Sequence, residues 1–449
     1  MRLVGFNPFR PSRRRAENPD RPEGSPYAAD LPASCDVVVI GGGLCGLATA
    51  IELAERGQSV VLLEKGRVGA EQTSRSMGWV SSLGDTGLRL PLSLRSKAIW
   101  ADYATKYGVD TSFRQVGVTL LCRGETELAH FADWRDQARE IGFVDATELS
   151  AAQVSERMPA MNIPGLAGAW HQPSDGCVRP EKVGPALAGI ADSLQVAVME
   201  QCAALDLETT AGHVSGVLTE QGRVKAQAVV VSGGAWSRAF LRRLGFEIPV
   251  LQVYGSLFRT GPVETSLQGC GATGSFGWCR RPDGSFTVGN NTVISTVTPD
   301  SFRLFRQFLP AMRDGHGAVS LDVDQDFFRD LKMFFASDDR KKLELQNTRV
   351  LGASPDARTK RATVTALRHE FPDFSDVEIA SEWAGVIDIT PDSAPIIDRL
   401  PGVGGAYVCS GFSAHGLAMA PAAAEITADL VVGQEPSIDA SAYRVSRFT

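Results

Sequence analysis

No stretch of these 449 residues stays apolar for the roughly 18–20 positions a helix needs to span a bilayer, so no transmembrane segment is expected. Basic residues are not in excess either. Lys and Arg total 45 against 52 Asp and Glu, and the formal net charge of −7 leaves no broad positive face for a nucleic acid. The eight cysteines, at 35, 45, 122, 177, 202, 270, 279 and 409, include no C-x-x-C pair. Scattered thiols of this kind read as buried apolar residues in a reducing, cytoplasmic setting, not as a disulfide framework. Histidine is sparse, six in all, and His130, His213, His316 and His369 stand in polar surroundings without ligand spacing. No metal site is expected.

What remains is an ordinary globular composition, 43% hydrophobic and 22% charged, in a chain long enough for two domains. Residues 1–35 are rich in Pro and Arg and include "FRPSRRRAENPDRPEG". An export signal would need an apolar run after the arginines, and none follows. The expectation is an N-terminal arm lying on the surface or touching a partner subunit or a second copy.

The most informative stretch is "VVVIGGGLCGLATAIELAERGQSVVLLEKG", residues 37–66. Val37 to Ile40 is a β-branched run suited to a strand buried on both faces. The pattern Gly41-x-Gly43-x-x-Gly46 follows, then a helical segment from Leu44 to Arg56 ended by Gly57, then a second apolar strand over Ser59–Leu63. Glu64 stands 18 residues after Gly46. Gly41 permits the tight turn, Gly43 lets the backbone approach a pyrophosphate, and Gly46 lets helix and strand pack closely. The helix N-terminus offers N–H groups and a positive dipole end to the anion. Glu64 would accept hydrogen bonds from ribose hydroxyls. A dinucleotide is the expected ligand, and the motif leaves NAD and FAD both open.

Downstream, "GRVGAEQTSRSMGWVSS" (66–82) lacks periodicity and reads as a loop rich in hydroxyls and glycine. Arg75 within it suits a phosphate or a carboxylate. Ala228–Val231 is another apolar strand, and it runs into Gly233-Gly234. Residues 247–345 alternate apolar and polar with D-G and G-N turns, which predicts antiparallel strands and hairpins, with a helix over "SFRLFRQFLPAM". Near the end, the strand Ala406–Cys409 feeds a glycine-rich turn, Gly411–Gly416, and an Ala-rich helix from Leu417 to Val432. That helix start could stabilise negative charge on a reduced flavin.

Taken in order, "GGGLCGLATAIELAERGQSVVLLEKG", "GAEQTSRSMGW", "DGCVRP", "VVVSGGAWS" and "TPDSAPIID…GFSAHGLAMAP" resemble the FAD-dependent amino acid and amine oxidoreductases. That family includes D-amino acid oxidase, glycine oxidase and sarcosine oxidase, and the resemblance covers roughly residues 35–435. It implies an α/β fold, with a Rossmann-like FAD-binding domain built from 36–90, 150–245 and 365–435. A second, antiparallel-sheet (α+β) substrate domain would take 91–149 and 246–364. It implies FAD held at Gly41, Gly43, Leu44, Cys45 and Gly46, with ribose at Glu64 beside Lys65. The flavin would lie along Thr73, Ser74, Arg75, Ser76 and Met77, and along Gly411, Phe412, Ser413, His415, Gly416 and Leu417. Ala203, Gly234 and Trp236 complete the expected cofactor contacts. Two departures stand out. "WAGVIDITPD" has no cysteine where some relatives attach the flavin, so noncovalent FAD is expected. Leu417-Ala418 stands where sarcosine oxidase-like members carry a substrate-binding lysine, which puts sarcosine in doubt.

The implied chemistry is hydride transfer from a C–N carbon to flavin N5, followed by hydrolysis of the imine. The substrate would be a secondary amine, an N-alkyl amino acid or a D-amino acid, and the acceptor O₂ or another carrier. The candidate pocket residues are His415, Tyr254, Trp278 and Arg280. Two readings compete with this one: an NAD-linked dehydrogenase, and a flavoprotein subunit or assembly factor that holds FAD without turnover.

Overall fold

The structure, a computed structural model, describes residues 2–6, 14–15, 30–142, 144–290, 292–313 and 318–448. His316 and most of the N-terminal arm lie outside the described residues.

The apolar run Val37–Ile40 forms the middle of a six-stranded sheet. Val60–Leu63 and then Ala197–Met199 lie on one side of it, and Ala228–Val231, Ala406–Ser410 and Ile396–Arg399 on the other. The first four pairings are parallel as read along the sheet, and only the Ile396–Arg399 edge runs antiparallel. Such strands are covered on both faces, which is why they carry Val and Leu without alternation. The strand order reverses direction beside Val37–Ile40, and a crevice at the carboxyl ends of the strands is the usual consequence.

Four helices cover one face: Leu44–Glu55, Arg89–Tyr107, Pro180–Ser193 and Gly416–Val432. The last contains Pro421, which has no N–H to give to the Leu417 carbonyl. That carbonyl instead accepts from the Trp100 indole at 2.7 Å, and the neighbouring Ala422 N–H donates to Ser96 Oγ at 3.1 Å. The proline thus ties the cofactor-side helix to its neighbour. The other face carries an antiparallel meander of Ala204–Thr210, His213–Thr219 and Gly222–Lys225.

A larger sheet of thirteen strands stands beside the first. Its centre is the antiparallel pair Leu251–Thr260 and Ile379–Ile389. It is not purely antiparallel: Val118–Arg123 runs parallel to Cys270–Ala272, and Thr292–Thr296 parallel to Ala318–Val323. Sheet membership also differs from the division expected along the sequence. Leu166–Gln172 and Ile379–Ile389, expected on the nucleotide side, pair in the larger sheet, whereas Arg89–Tyr107 packs on the smaller one. The alternation in both strands gives sheet type but not sheet identity. From the N-terminal arm, Arg2–Phe6 adds a parallel strand beside Ala318–Val323, and Arg14–Arg15 pairs with Gly352–Ala353.

Candidate active site

One cavity of about 1070 Å³ runs between the two sheets, larger than the roughly 300–1,000 Å³ of most small-molecule sites. It begins at the N-terminus of helix Leu44–Glu55 and reaches the N-terminus of helix Gly416–Val432.

The glycines at the first end have separate tasks. Gly41 sits at φ +114, and a Cβ there would meet the Ser232 carbonyl oxygen at 2.4 Å. A Cβ on Gly46 would stand 1.9 Å from the Gly41 oxygen. Both positions are therefore closed by backbone. Gly43 differs: its Cβ direction meets only Thr73 Oγ1, at 3.6 Å, and otherwise opens into the cavity. The helix has no side-chain cap, apart from Thr73 Oγ1 accepting the Leu44 N–H at 3.0 Å. An anion lying on Gly43 would face donors that helix geometry leaves unpaired.

Glu64 closes this end. Its carboxylate accepts from Gly42 N–H at 2.8 Å and from Gly66 N–H at 2.6 Å. Burial, with Glu71 nearby, pushes its pKa up to about 7. Beside it the Lys65 ammonium is buried over the Trp236 ring, 2.9 Å from its centroid, with no hydrogen-bonding partner. Burial pulls Lys65 down to about 8. A buried ammonium without an acceptor is costly, and an anionic or hydrogen-bonding ligand at this spot would relieve it. The open face of Gly43, the carboxylate at Glu64 and the orphaned ammonium together fit a dinucleotide.

The far end has a flat wall. Gly255 and Gly385 face each other in register across the central strand pair, and Gly277 lies on a neighbouring hairpin. Arg75 is buried against Gly385, and its guanidinium donates to the Leu351 carbonyl. Opposite them runs the turn Gly411–His415. Here Ser413 and Ala414 hold φ of +51 and +70. His415 Nδ1 lies 2.7 Å from the Ser413 carbonyl, so it must carry the proton, and Nε2 accepts from Arg89 at 3.0 Å. Burial drives the His415 pKa down, Asp85 opposes that, and Arg89 adds to it. The ring is a neutral imidazole of fixed tautomer. Asp388 is also buried in this wall. It accepts from Gly411 N–H at 2.8 Å and Ser410 Oγ at 3.2 Å, and burial raises its pKa to about 6.

Beyond the turn the lining becomes apolar, with Leu257, Val293, Val297, Phe305, Phe308 and Leu321.

A family model described as FAD dependent oxidoreductase matches residues 36–430. The chain belongs to that family. FAD, not NAD, is therefore the cofactor, and the protein is an oxidoreductase of the amino acid oxidase and dehydrogenase type. Glycine oxidase of Pseudomonas putida is 26% identical over 416 residues, 91% of this chain and 98% of its own. L-Amino acid deaminase from Proteus myxofaciens, solved in complex with anthranilate, superposes with a TM-score of 0.90 at 30% identity, covering 96% of this chain and 97% of its own. L-Amino acid deaminase from Proteus vulgaris gives 0.88 at 29% identity, covering 95% and 100%.

Most of the residues expected at the flavoenzyme's cofactor line this one cavity: Gly41, Gly43, Leu44, Cys45, Glu64, Lys65, Thr73, Arg75, Ser76, Met77, Ala203, Gly234, Trp236, Phe412, Ser413, His415, Gly416 and Leu417. Gly46, Ser74 and Gly411 stand just behind the wall. Gly46 serves helix packing, and Gly411, at φ +82, shapes the turn. Three expected pocket residues are not in the wall. Tyr254 is buried in a cluster with Ile294, Leu351 and Val386. Trp278 is fully buried against Phe276 and Phe371, and Arg280 is bonded to Gln268. Their neighbours Val253, Gly255 and Gly277 face the cavity instead.

Arg89, Asp85, Gln72, Asp388, Phe305 and Phe308 line the cavity without having been anticipated. Asp388 alone had a readable signal, in "VIDITPD". His213, one of the histidines expected to be free of a ligand role, bonds its own turn; His171 bonds Thr119, and neither is in the cavity wall.

Proposed function

We propose that this flavoenzyme oxidises the C–N bond of an α-amino acid with an apolar side chain, L-amino acids being the favoured class. The observation that carries the reading is the continuity of the cavity from the dinucleotide cradle, past the His415 turn, into the apolar wall of Leu257, Val293, Phe305 and Phe308. The likeness to L-amino acid deaminases at 30% identity and a TM-score of 0.90 supports the choice of substrate class.

With FAD bound, the chemistry supplied is acceptance of a hydride, which carries two electrons, from the substrate α-carbon; the imine left after loss of the nitrogen-bound proton is hydrolysed by water to a 2-oxo acid and ammonia. The protein's share is orientation and electrostatics. The apolar wall holds the side chain and excludes water from the reacting carbon. The buried Arg75 charge favours a substrate that carries a carboxylate over a simple amine. The fixed tautomer of His415 presents no positive charge to the substrate amine, which must be neutral to react. Noncovalent attachment is part of this reading, since residues 383–392 contain no cysteine.

The test is anaerobic reduction of the purified protein by a panel of L- and D-amino acids, glycine and N-methyl amino acids, followed through the visible flavin absorbance. Leucine- or phenylalanine-like L-amino acids are expected to bleach it fastest. Bleaching by N-methyl or D-compounds alone would reassign the substrate, and a colour that persists throughout would remove the proposal.

A further inference from the structure

Cys177 is far in sequence from Cys270 and Cys279, yet the three sulfurs all lie within 4.8 Å of one another. Each reaches the cluster for a different reason. Cys270 and Cys279 are directly opposite partners in the antiparallel pair Cys270–Ala272 and Gly277–Arg280, with sulfurs 2.9 Å apart. Cys177 comes from a separate three-stranded sheet, in register with Trp79 on one side and Arg114 on the other. The cluster is thus a junction between the larger sheet and the segment that carries Met77 and Trp79 into the cavity wall.

We propose that this trio is a binding site for a soft d¹⁰ metal cation of the Cu⁺ or Zn²⁺ class, held by three thiolates. The surroundings are apolar, with Val118, Cys122, Trp170 and Leu90 in the same buried cluster. Among the described residues no His, Asp or Glu joins the sulfurs. A donor set of sulfur alone selects thiophilic ions over oxygen-seeking ones. With metal–sulfur bonds of about 2.3 Å, a trigonal site spaces its sulfurs by about 4.0 Å. Cys270 and Cys279 reach that spacing by small side-chain rotations. Cys270 and Cys279 are buried, and Cys177 is the least enclosed of the three.

Binding as three thiolates releases the sulfur-bound protons to solvent, with no change of oxidation state. A disulfide would engage only two of the sulfurs and strand the third.

The experiment uses the FAD-loaded protein kept under a phosphine reductant, titrated in one arm with Cu⁺ against a competing chelator and in the other with Zn²⁺. Stoichiometry, ligand-to-metal charge-transfer absorption and the melting temperature are read together. The expected result is one ion per chain, ultraviolet thiolate–metal absorption and a raised melting temperature, and the tighter arm identifies the ion. Cys177→Ser and Cys279→Ser should each weaken binding by at least roughly 100-fold, the upper end for changes merely outside the ligand set. Absence of binding by the reduced wild-type chain would overturn the proposal without reference to any variant. Undiminished binding in both serine variants would overturn it equally. This site is independent of the substrate assignment, since its readouts do not involve turnover.

Discussion

The Nε2 of His415 lies 3.0 Å from an Arg89 guanidinium nitrogen, and Arg89 in turn stands 3.5 Å from Asp85. The pair links helix Arg89–Tyr107 to the turn that begins helix Gly416–Val432. Burial and Arg89 both hold the ring below its ordinary pKa, while Asp85 works in the opposite direction. Replacing Arg89 with Met leaves Asp85 unopposed, so the His415 pKa rises and the ring protonates at a higher pH. If a neutral ring is needed, the acid limb of kcat/KM moves to higher pH and the rate on that limb falls. Comparing pH–rate profiles of wild type and R89M checks this. An unshifted limb would show that His415 does not govern the profile.

Gly43 and Gly46 are three residues apart and should fail in different ways. A Cβ at Gly46 collides with the Gly41 carbonyl, whereas a Cβ at Gly43 meets only Thr73 Oγ1 at 3.6 Å. Gly43 also has φ −77, which alanine adopts without strain. G43A is expected to melt within about 0.5 kcal/mol of wild type in the flavin-free state yet to bind FAD far more weakly. G46A is expected to lose fold stability outright, by about 3 kcal/mol or more. Flavin-free denaturation curves and FAD fluorescence titrations separate the two outcomes.

The cradle was readable because its residues answer to local backbone rules. β-Branched runs, three glycines and a late acid encode strand, turn, helix and acceptor within thirty positions. The far wall was not readable in the same way. In Leu251–Thr260, alternation identified a strand but not which face meets the cavity, and Val253 and Gly255 line it while the more conspicuous Tyr254 points into a separate core. The same reversal separates Gly277 from Trp278. Both faces of this sheet are covered, so hydrophobicity cannot tell them apart. Arg89 and Phe308 arrive from segments brought in by tertiary packing, where no local pattern marks them.

Asp175, in "SDGCVRP", gathers a buried knot beside the cavity. It accepts from Lys97 Nζ and Gln172 Nε2 at 2.9 Å, from Ser81 Oγ at 2.5 Å and from Leu83 N–H at 3.2 Å. Ser81 and Leu83 line the cavity, so the knot positions part of its wall. Asp175→Asn leaves the Lys97 charge buried without its counter-ion, and a loss of about 3–5 kcal/mol is expected. The double variant K97M/D175N should recover much of it. Urea denaturation of the four proteins in the cycle measures the coupling, and additivity of the two single losses would contradict the account.

Asp388 gives a pH signature. Its folded pKa of about 6 lies above the ordinary value of 3.8, chiefly because burial disfavours the carboxylate. The folded state therefore holds more protons than the unfolded state between those values. The stabilising contribution is complete below about pH 4 and is lost as the pH rises through 6, a span on the order of 3 kcal/mol. The stability of flavin-free wild type relative to Asp388→Asn should decline across that window and level off above it. A difference curve that is flat, or that rises with pH, would remove Asp388 as the source.

The turn facing Asp388 stores strain at two positions, and only one of them has compensation. Ser413, at φ +51, uses its Oγ to accept the Thr390 N–H at 3.0 Å. Ala414, at φ +70, is exposed and has no side-chain polar atom with which to offset the left-handed conformation. Such a conformation costs an L-residue roughly 1–2 kcal/mol, and glycine surrenders about 0.5–1 kcal/mol of that gain through chain entropy. Ala414→Gly is therefore expected to stabilise the protein by about 0.5–1 kcal/mol, seen as a higher urea midpoint at an unchanged slope. Ser413→Gly should not stabilise, because it strands the Thr390 N–H. Destabilisation by Ala414→Gly would mean that the methyl group makes a contact worth more than the strain it imposes, and the cavity lies directly beneath it.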